Sequence, residues 1–181
     1  PLPGSSFRIV DPETLSPLAT GEDGLILIGG TQVMQGYLKD PEKTAEVIVE
    51  IDGQRWYNTG DKGHLDSDGF LTIVDRYSRF AKIGGEMISL GAVEAAISSR
   101  LSEQAEVLAT ALPDGKKGEK VVLLFNQGIS KEELNGHIQN SELNPLMRPA
   151  ELLQVDGIPK LGSGKNDFKT AKQIALQRLG S

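Results

Sequence analysis

Three stretches of the chain carry residue types that could do chemistry. Tyr57-Asn58-Thr59-Gly60-Asp61 sets a carboxylate directly after a glycine turn. An ionised Asp there can accept two hydrogen bonds, which suits paired hydroxyls such as those of a ribose; the competing reading is an Asx-type turn that ends a strand. Residues 75–86, Asp-Arg-Tyr-Ser-Arg-Phe-Ala-Lys-Ile-Gly-Gly-Glu, place two arginines ahead of a glycine pair. The guanidinium of Arg76 offers a fork of donors to hydroxyls or phosphate, and Gly84-Gly85 lets a ligand or strand come close to the backbone. In Pro159-Lys160-Leu161-Gly162-Ser163-Gly164-Lys165, the loop Gly162-Ser163-Gly164, which has no apolar anchor, presents Lys165. It imitates a phosphate-binding P-loop but fails that pattern twice, with Pro159 in place of the first glycine and Asn166 in place of the Ser or Thr after the lysine. A lysine bracketed this way can instead bring positive charge to a developing oxyanion or phosphate; the competing reading is a solvated lysine at a helix entry.

These residues need elements to hold them. Ser6-Phe7-Arg8-Ile9-Val10 reads as an alternating strand and Leu25-Ile26-Leu27-Ile28 as a buried one bounded by glycines. Asp40 and Pro41 mark a short helix, as N-cap and first helical residue. Asp66-Ser67-Asp68-Gly69 starts like a calcium loop, but Phe70-Leu71-Thr72-Ile73-Val74 follows where ligands should be, so a hairpin turn is the better reading. Leu71-Thr72-Ile73-Val74 reads as a buried strand, and the polar, glycine-broken run after it as a joint rather than core. Beyond the joint the pattern changes. Leu90, Val93, Ile97 and Leu101 recur at helical spacing, and two apolar runs, at 107–112 and 121–125, read as strands. Ser130 caps a helix to about Gln139, with Glu133 placed for a capping box. Residues 152–155 give a further strand, and Phe168, Ala171, Ala175 and Leu179 a last helix. The expected fold class is α+β: a short-strand, β-barrel-like segment at 1–76, then a small α+β lid at 77–181 with helices on a mixed sheet, and a hinge near 75–80.

Composition removes several function classes. The chain has 181 residues, 38% hydrophobic and 24% charged, with a formal charge of −6, two histidines and no cysteine. The acidic balance argues against a nucleic-acid partner, and thiolate metal sites and disulfides are unavailable. No apolar run approaches the roughly 18 residues of a membrane span. The opening Pro1-Leu2-Pro3-Gly4 has no initiator Met and no signal pattern, so the chain reads as a piece of a longer protein.

The order of the three stretches, with Gly21-Glu22-Asp23-Gly24-Leu25 leading to Gly36-Tyr37, resembles the adenylate-forming (acyl-CoA synthetase, AMP-binding) superfamily along essentially the whole chain. Residues 75–87, with 27–37 and Gly162-Ser163-Gly164-Lys165, are most similar to the acyl-ACP synthetase half of the bifunctional acyl-ACP synthetase/2-acylglycerophosphoethanolamine acyltransferases. The resemblance implies an ATP-dependent fatty acid ligase that forms acyl-AMP and passes the acyl group to the phosphopantetheine thiol of acyl carrier protein. A long-chain fatty acyl-CoA synthetase is the alternative within the class, and a non-catalytic carrier-protein docking module the alternative outside it. By position, Asp61, Arg76 and Tyr57 would contact ATP or AMP, with Asp61 and Arg76 on the ribose. Lys165 would be catalytic, bridging carboxylate and α-phosphate. Ser78 would be the pivot, and Gly84 and Gly85 would line the thiol channel. Lys82 matches a family lysine of less definite role. Two departures stand out: Ser78 replaces the usual Asp or Lys, and Met87 replaces a Gln found in some members. ATP and Mg2+ would bind mostly through segments upstream, so the fragment alone is expected to be inactive. No residue is expected to bind a metal. Fatty acid and the carrier-protein or CoA arm are the implied partners. Membrane contact would come only through other parts of the protein: a cytoplasmic fragment, with inner-membrane association left open for the full-length protein.

Overall fold

The computed structural model describes residues 3–180, which divide into two compact units, Pro1–Ser78 and Arg79–Ser181. Tyr77 and Ser78 fall with the first unit, two residues later than the sequence boundary. Tyr77 belongs there because it packs against the buried cluster of Val10, Leu25, Leu27 and Trp56.

The first unit is one curled antiparallel sheet. Its strands are β1 (Ser5–Val10), β2 (Gly24–Gly30), β3 (Ile48–Ile51), β4 (Gln54–Leu65) and β5 (Leu71–Arg76), with helix α1 (Pro41–Val47) before β3. The order runs β1-β2-β4, and the twelve-residue β4 is long enough to hold two partners on its far edge: β3 pairs with 54–57 and β5 with 61–65. Asp40 caps α1 by accepting the Lys43 N–H at 3.0 Å, and Pro41 takes the first turn, where its missing N–H costs nothing. Asp66 closes the β4–β5 turn by accepting the amides of Asp68 and Phe70, so the calcium-like tetrapeptide is a hairpin turn. β5 departs from expectation. Ile73 and Val74 are 61% and 46% exposed, so this is a strand that leaves its apolar side chains uncovered within the unit. Trp56 is buried with Arg8 stacked 4.8 Å from its ring, and its indole N–H has no partner among the described residues.

The second unit has three layers. Its sheet joins β6 (Phe80–Ile83), β7 (Glu86–Ser89), β8 (Val107–Asp114), β9 (Gly118–Phe125) and β10 (Glu151–Gln154), with α2 (Leu90–Ser98), α3 (Lys131–Gln139) and α4 (Phe168–Leu179) between and after them. β9 is central: β8 runs antiparallel on one edge, and the other edge holds β10 in parallel along 122–125 and β6 at Gly118. The sheet is therefore mixed. Alternation divides its side chains between two cores. Val107, Ala109, Ala111, Val121, Leu123 and Phe125 face a cluster that includes Leu90, Val93 and Ile97 of α2 and Leu134 and Ile138 of α3. Leu108, Leu112, Val122 and Leu124 face the other cluster, with Ala171 and Ala175 of α4. Burial on both faces is why these strands are continuously apolar rather than alternating. α2 ends at Ser98, short of Leu101.

The run 75–86 is not the polar joint the sequence suggests. It is irregular at the 3-10 turn Tyr77–Arg79 and at the Gly84-Gly85 turn, with β6 between them. Ala81 and Ile83 alternate inward from β6 at 0% and 3% exposure, and Arg79 is 5% exposed. Two residues with small or branched side chains thus enter the core between charged neighbours, and an ion pair admits the arginine.

Candidate functional site

Asp61 owes its position to an irregularity in β4. Leu25 pairs with Lys62 and Leu27 with Asn58, so residues 59–61 of β4 stand opposite Ile26 alone. The bulge contains Gly60 at φ 71, a left-handed conformation that favours glycine. Thr59 fills the gap in the ladder. Its hydroxyl donates to the Ile26 carbonyl at 2.8 Å and accepts the Asp61 N–H at 3.0 Å, while the Asn58 side chain accepts the Gly60 N–H at 2.9 Å. Thr59 and Asn58 thus orient Asp61, a supporting role that a pentapeptide motif does not announce. On the neighbouring strand a second bulge leaves Val74 outside the register, and Arg76 stands directly opposite Asp61.

The two side chains meet. Arg76 Nε donates to Asp61 Oδ1 at 2.9 Å. Oδ2 of Asp61 and the terminal nitrogens of Arg76 take no partner among the described residues. An open acceptor beside open donors fits two neighbouring hydroxyls, each of which can donate to the carboxylate and accept from the guanidinium. Arg76 is largely exposed and Asp61 less so, at 65% and 22% of their side chains, so the pair is accessible from solvent. Tyr57, one strand turn earlier, lines a different feature: a cavity of about 280 Å³ with Ile28, Gln32, Val33, Met34 and Tyr37. Tyr37 itself stacks under Lys43 at 4.5 Å. No group of three or more His, Asp or Glu side chains that could hold a metal comes together among the described residues.

The remaining candidates lie in the second unit, apart from Ser78. Gly84 and Gly85 connect β6 to β7 with Ile83 paired to Glu86, and their φ values of 61 and 91 are those of a two-residue type I′ turn. A Cβ at either would meet nothing within 4 Å. The glycine pair is thus required first by the turn's backbone and not by close packing inside the unit. Gly84 N–H also bonds the Lys117 carbonyl at 2.8 Å, tying the hairpin to the β8–β9 connection. Lys82 is exposed on β6, and its backbone N–H is held by the Glu119 carboxylate at 2.6 Å.

Lys165 is exposed, as expected, but its loop is more ordered than a glycine-rich string suggests. Leu161 N–H bonds the Lys165 carbonyl at 2.7 Å and Gly164 N–H bonds the Leu161 carbonyl at 2.8 Å, with Gly164 at φ 83. Lys160 bridges Asn166, and Asp167 N–H bonds the Pro159 carbonyl at 2.8 Å. The lysine therefore rides on a closed turn whose exit is fixed by a helix cap: Asp167 accepts the Thr170 N–H at 3.0 Å and the Thr170 hydroxyl at 2.8 Å. Those bonds hold the Asp167 carboxyl below its ordinary pKa, the Thr170 amide being the largest cause. Ser78 is the last residue of the first unit.

Arg79, which sequence reasoning left without a role, is the most constrained charge in the unit. Its guanidinium donates to Glu94 at 2.5 Å and to the Ala109 carbonyl at 2.9 Å, and it lies 3.9 Å from the Phe168 ring centre. Glu94 in turn accepts the Ala109 N–H at 2.6 Å.

Comparison with known proteins relates the chain to a family. Residues 92–165 match the family model described as AMP-binding enzyme C-terminal domain. A 4-coumarate–CoA ligase of Vanilla planifolia is 35% identical over 167 residues, which cover 89% of this chain and 29% of the ligase. Nonribosomal peptide synthetase sidD of Aspergillus fumigatus is 32% identical over 94% of this chain and 10% of its own length. Among solved structures, ATP-bound MatB from Rhodopseudomonas palustris superposes with a TM-score of 0.81 at 25% identity, covering 99% of this chain and 35% of MatB. The o-succinylbenzoate CoA synthetase MenE of Bacillus subtilis, in complex with its acyl-adenylate intermediate, gives 0.75 at 28% identity over 95% of this chain and 34% of MenE. The chain spans about a third or less of the length of these relatives. With residues 92–165 matched, a TM-score of 0.81 and a mixed α+β fold in common, the second unit carries an AMP-binding enzyme C-terminal domain, and the chain as a whole is similar to adenylate-forming superfamily enzymes.

Proposed function

We propose that this chain is the C-terminal part of an ATP-dependent, AMP-forming acid–thiol ligase acting on a fatty acid. The observation that carries the reading is the Asp61–Arg76 pair, with an open carboxylate oxygen beside open guanidinium donors on one strand pair. In this reading the pair holds the ribose hydroxyls of ATP, and Lys165 supplies charge at the reacting centre. A carboxylate oxygen of the acid attacks the α-phosphorus, the bond to the β-phosphate oxygen breaks, and pyrophosphate leaves. In the second step the thiolate of a phosphopantetheine arm attacks the acyl carbonyl, the bond to AMP breaks, and AMP leaves. Magnesium, when bound with ATP, neutralises phosphate charge; the residues that hold it belong to other parts of the ligase. Gly84 and Gly85 would border the thiol's approach, with Lys82 beside them, Tyr57 would contact the nucleotide from its strand, and Ser78 would be the pivot of the lid between the two steps.

The thiol carrier is the finer question. Acyl carrier protein, in a bifunctional enzyme that reacylates lysophospholipid, is the reading carried by the resemblance of residues 75–87. Coenzyme A is the competing acceptor, favoured by relatives that are named as CoA ligases. Rates with CoA and with holo-acyl carrier protein at equal concentration separate the two, and a docking module would turn over neither.

The decisive variant is Lys165→Ala in the full-length ligase. Removing one charge-stabilising donor from a preorganised site costs about 2.7–4 kcal/mol, or roughly a hundred- to a thousandfold in rate. Fatty-acid-dependent pyrophosphate exchange should fall by that order, while thioester formation from supplied acyl-adenylate changes far less. Wild-type exchange by the variant removes Lys165 from the site, and equal loss in both steps removes the rotating lid.

A further inference from the structure

We propose that Arg79 is a positioning residue for Lys165: it clamps the ring of Phe168 and so fixes the exit of the lysine loop. The geometry has three links. The guanidinium is itself buried and tethered, 5% exposed and held by Glu94 at 2.5 Å and by the Ala109 carbonyl at 2.9 Å. Glu94 is set in turn by the Ala109 N–H, so both partners of the ion pair lean on one residue of β8 in the centre of the unit. The flat face of the guanidinium then lies 3.9 Å from the Phe168 ring centre. A cation over an aromatic face is attracted by the ring quadrupole, more strongly when water is excluded from one side, as it is here.

Phe168 is the lever. It is the first residue of α4 and follows Asp167, whose N–H bonds Pro159 across the base of the loop. Pinning its ring therefore pins the peptide that closes the lysine turn. The opposite leg is held independently by an ion pair between Lys160 and Glu106 of the 105–107 segment. With one leg on Glu106 and the other on Arg79, the turn from Leu161 to Lys165 has two fixed feet and no side-chain anchor of its own. Phe168 is 41% exposed, more than a ring placed only to fill core would be. Leucine would supply comparable apolar contact at that position but no ring face. Arg79 also opens the second unit immediately after Ser78, so the residue that fixes the loop is covalently next to the proposed pivot.

This inference rests on the proposed role of Lys165 for its catalytic part only, and the experiment separates the two. Hydrogen exchange of the 181-residue chain is followed at the amides of Leu161, Gly164 and Asp167, with Leu123 in β9 as the reference for global opening. Phe168→Leu should speed exchange at the three loop amides by roughly two- to thirtyfold, the factor a cation–π contact is worth, without moving Leu123. Phe168→Tyr, which keeps the ring face, should exchange like wild type. Arg79→Met should act like Phe168→Leu, and if it unfolds because Glu94 loses its charge partner, Phe168→Leu alone decides. Loop amides that follow Leu123 in every variant overturn the clamp. In the full-length ligase, Phe168→Leu should lower kcat for adenylation by a factor similar to its exchange effect and leave KM for ATP unchanged, and it should add nothing in a Lys165→Ala background. Full adenylation by Phe168→Leu, with Lys165→Ala inactive, overturns the positioning role. An active Lys165→Ala overturns the catalytic reading of the lysine and leaves the clamp to the exchange data.

Discussion

Asp167 shows how much one carboxylate organises. It caps α4, accepts the amide and hydroxyl of Thr170, and ties its own N–H to Pro159 at the base of the lysine turn. Its pKa is lowered, chiefly by the Thr170 amide and then by the Thr170 hydroxyl. A carboxyl whose folded value lies below its ordinary 3.8 adds stability that is complete above that value and is lost as pH falls through the lowered one. Asp167→Asn keeps an acceptor and loses the titration. The melting difference between wild type and this variant should thus be constant at neutral and mildly acidic pH and shrink only below 3.8. A difference that shrinks already near neutral pH assigns the effect to another group. Asp11 and Asp114, lowered by bonds from Thr14 and from Lys117 and Lys116, add to the same acid transition in wild type but cancel in the comparison. At this scale the sequence was legible where partners are local. The caps Asp40, Ser89, Ser130 and Asp167 each act on a residue three positions away, although Ser89 and Asp167 were not singled out. Arg79 was not legible: Glu94, Ala109 and Phe168 lie 15, 30 and 89 positions beyond it, and only the folded chain brings them together.

Among the elements, two hairpins with two-residue turns, Gly84-Gly85 and Asp52-Gly53, make the most direct comparison. Gly84-Gly85 was read for the access it gives a ligand, yet the φ values of 61 and 91 already demand residues tolerant of the left-handed region. Asp52-Gly53, at φ 53 and 74, forms the same kind of turn between β3 and β4, and its Asp-Gly signal was available in the sequence but overlooked along with β3. Replacing Gly84 tests which demand dominates. Gly84→Val should destabilise the second unit by about 1–2 kcal/mol, the cost of a left-handed side chain, and Gly84→Asn by much less. Chemical denaturation monitors both, and equal losses would mean that contact, not conformation, sets the cost. If the glycines also border the thiol path, Gly84→Asn should keep its stability and still slow thioester formation. Periodicity located β8, β9, α2 and α4, and the Ser130 cap located α3, because apolar runs, helical spacing and caps are local signals. It misread β5 as buried, because alternation reveals an apolar strand but not whether anything covers it. It missed β6, because four residues with a lysine and a glycine pair beside them hardly establish a period.

For the whole molecule, the separation into two units carries the mechanistic weight. Every buried cluster lies wholly within one unit, with Tyr77 in the first and Ala81 in the second. Charge is divided as well: the first unit holds six Lys and Arg against thirteen Asp and Glu, and the second thirteen against twelve. Domains with separate cores move as bodies, and the strain of movement falls on the few residues that join them. Ser78→Pro in the full-length ligase fixes φ at the proposed pivot. One half-reaction should persist and the other fall, read as pyrophosphate exchange against thioester formation from supplied acyl-adenylate; equal changes in both would show that Ser78 is not a selective pivot.

The division after Ser78 has a consequence for inheritance. A crossover at that peptide bond would pass Arg79, Glu94, Phe168 and the Lys165 turn to a descendant as one block, and Asp61 with Arg76 as another. Neither block would have to renegotiate a shared core. Recombination and gene fusion can therefore exchange second units at this seam while each parent's internal clamp arrives intact, whereas a crossover even one residue later would separate Arg79 from the ring it holds.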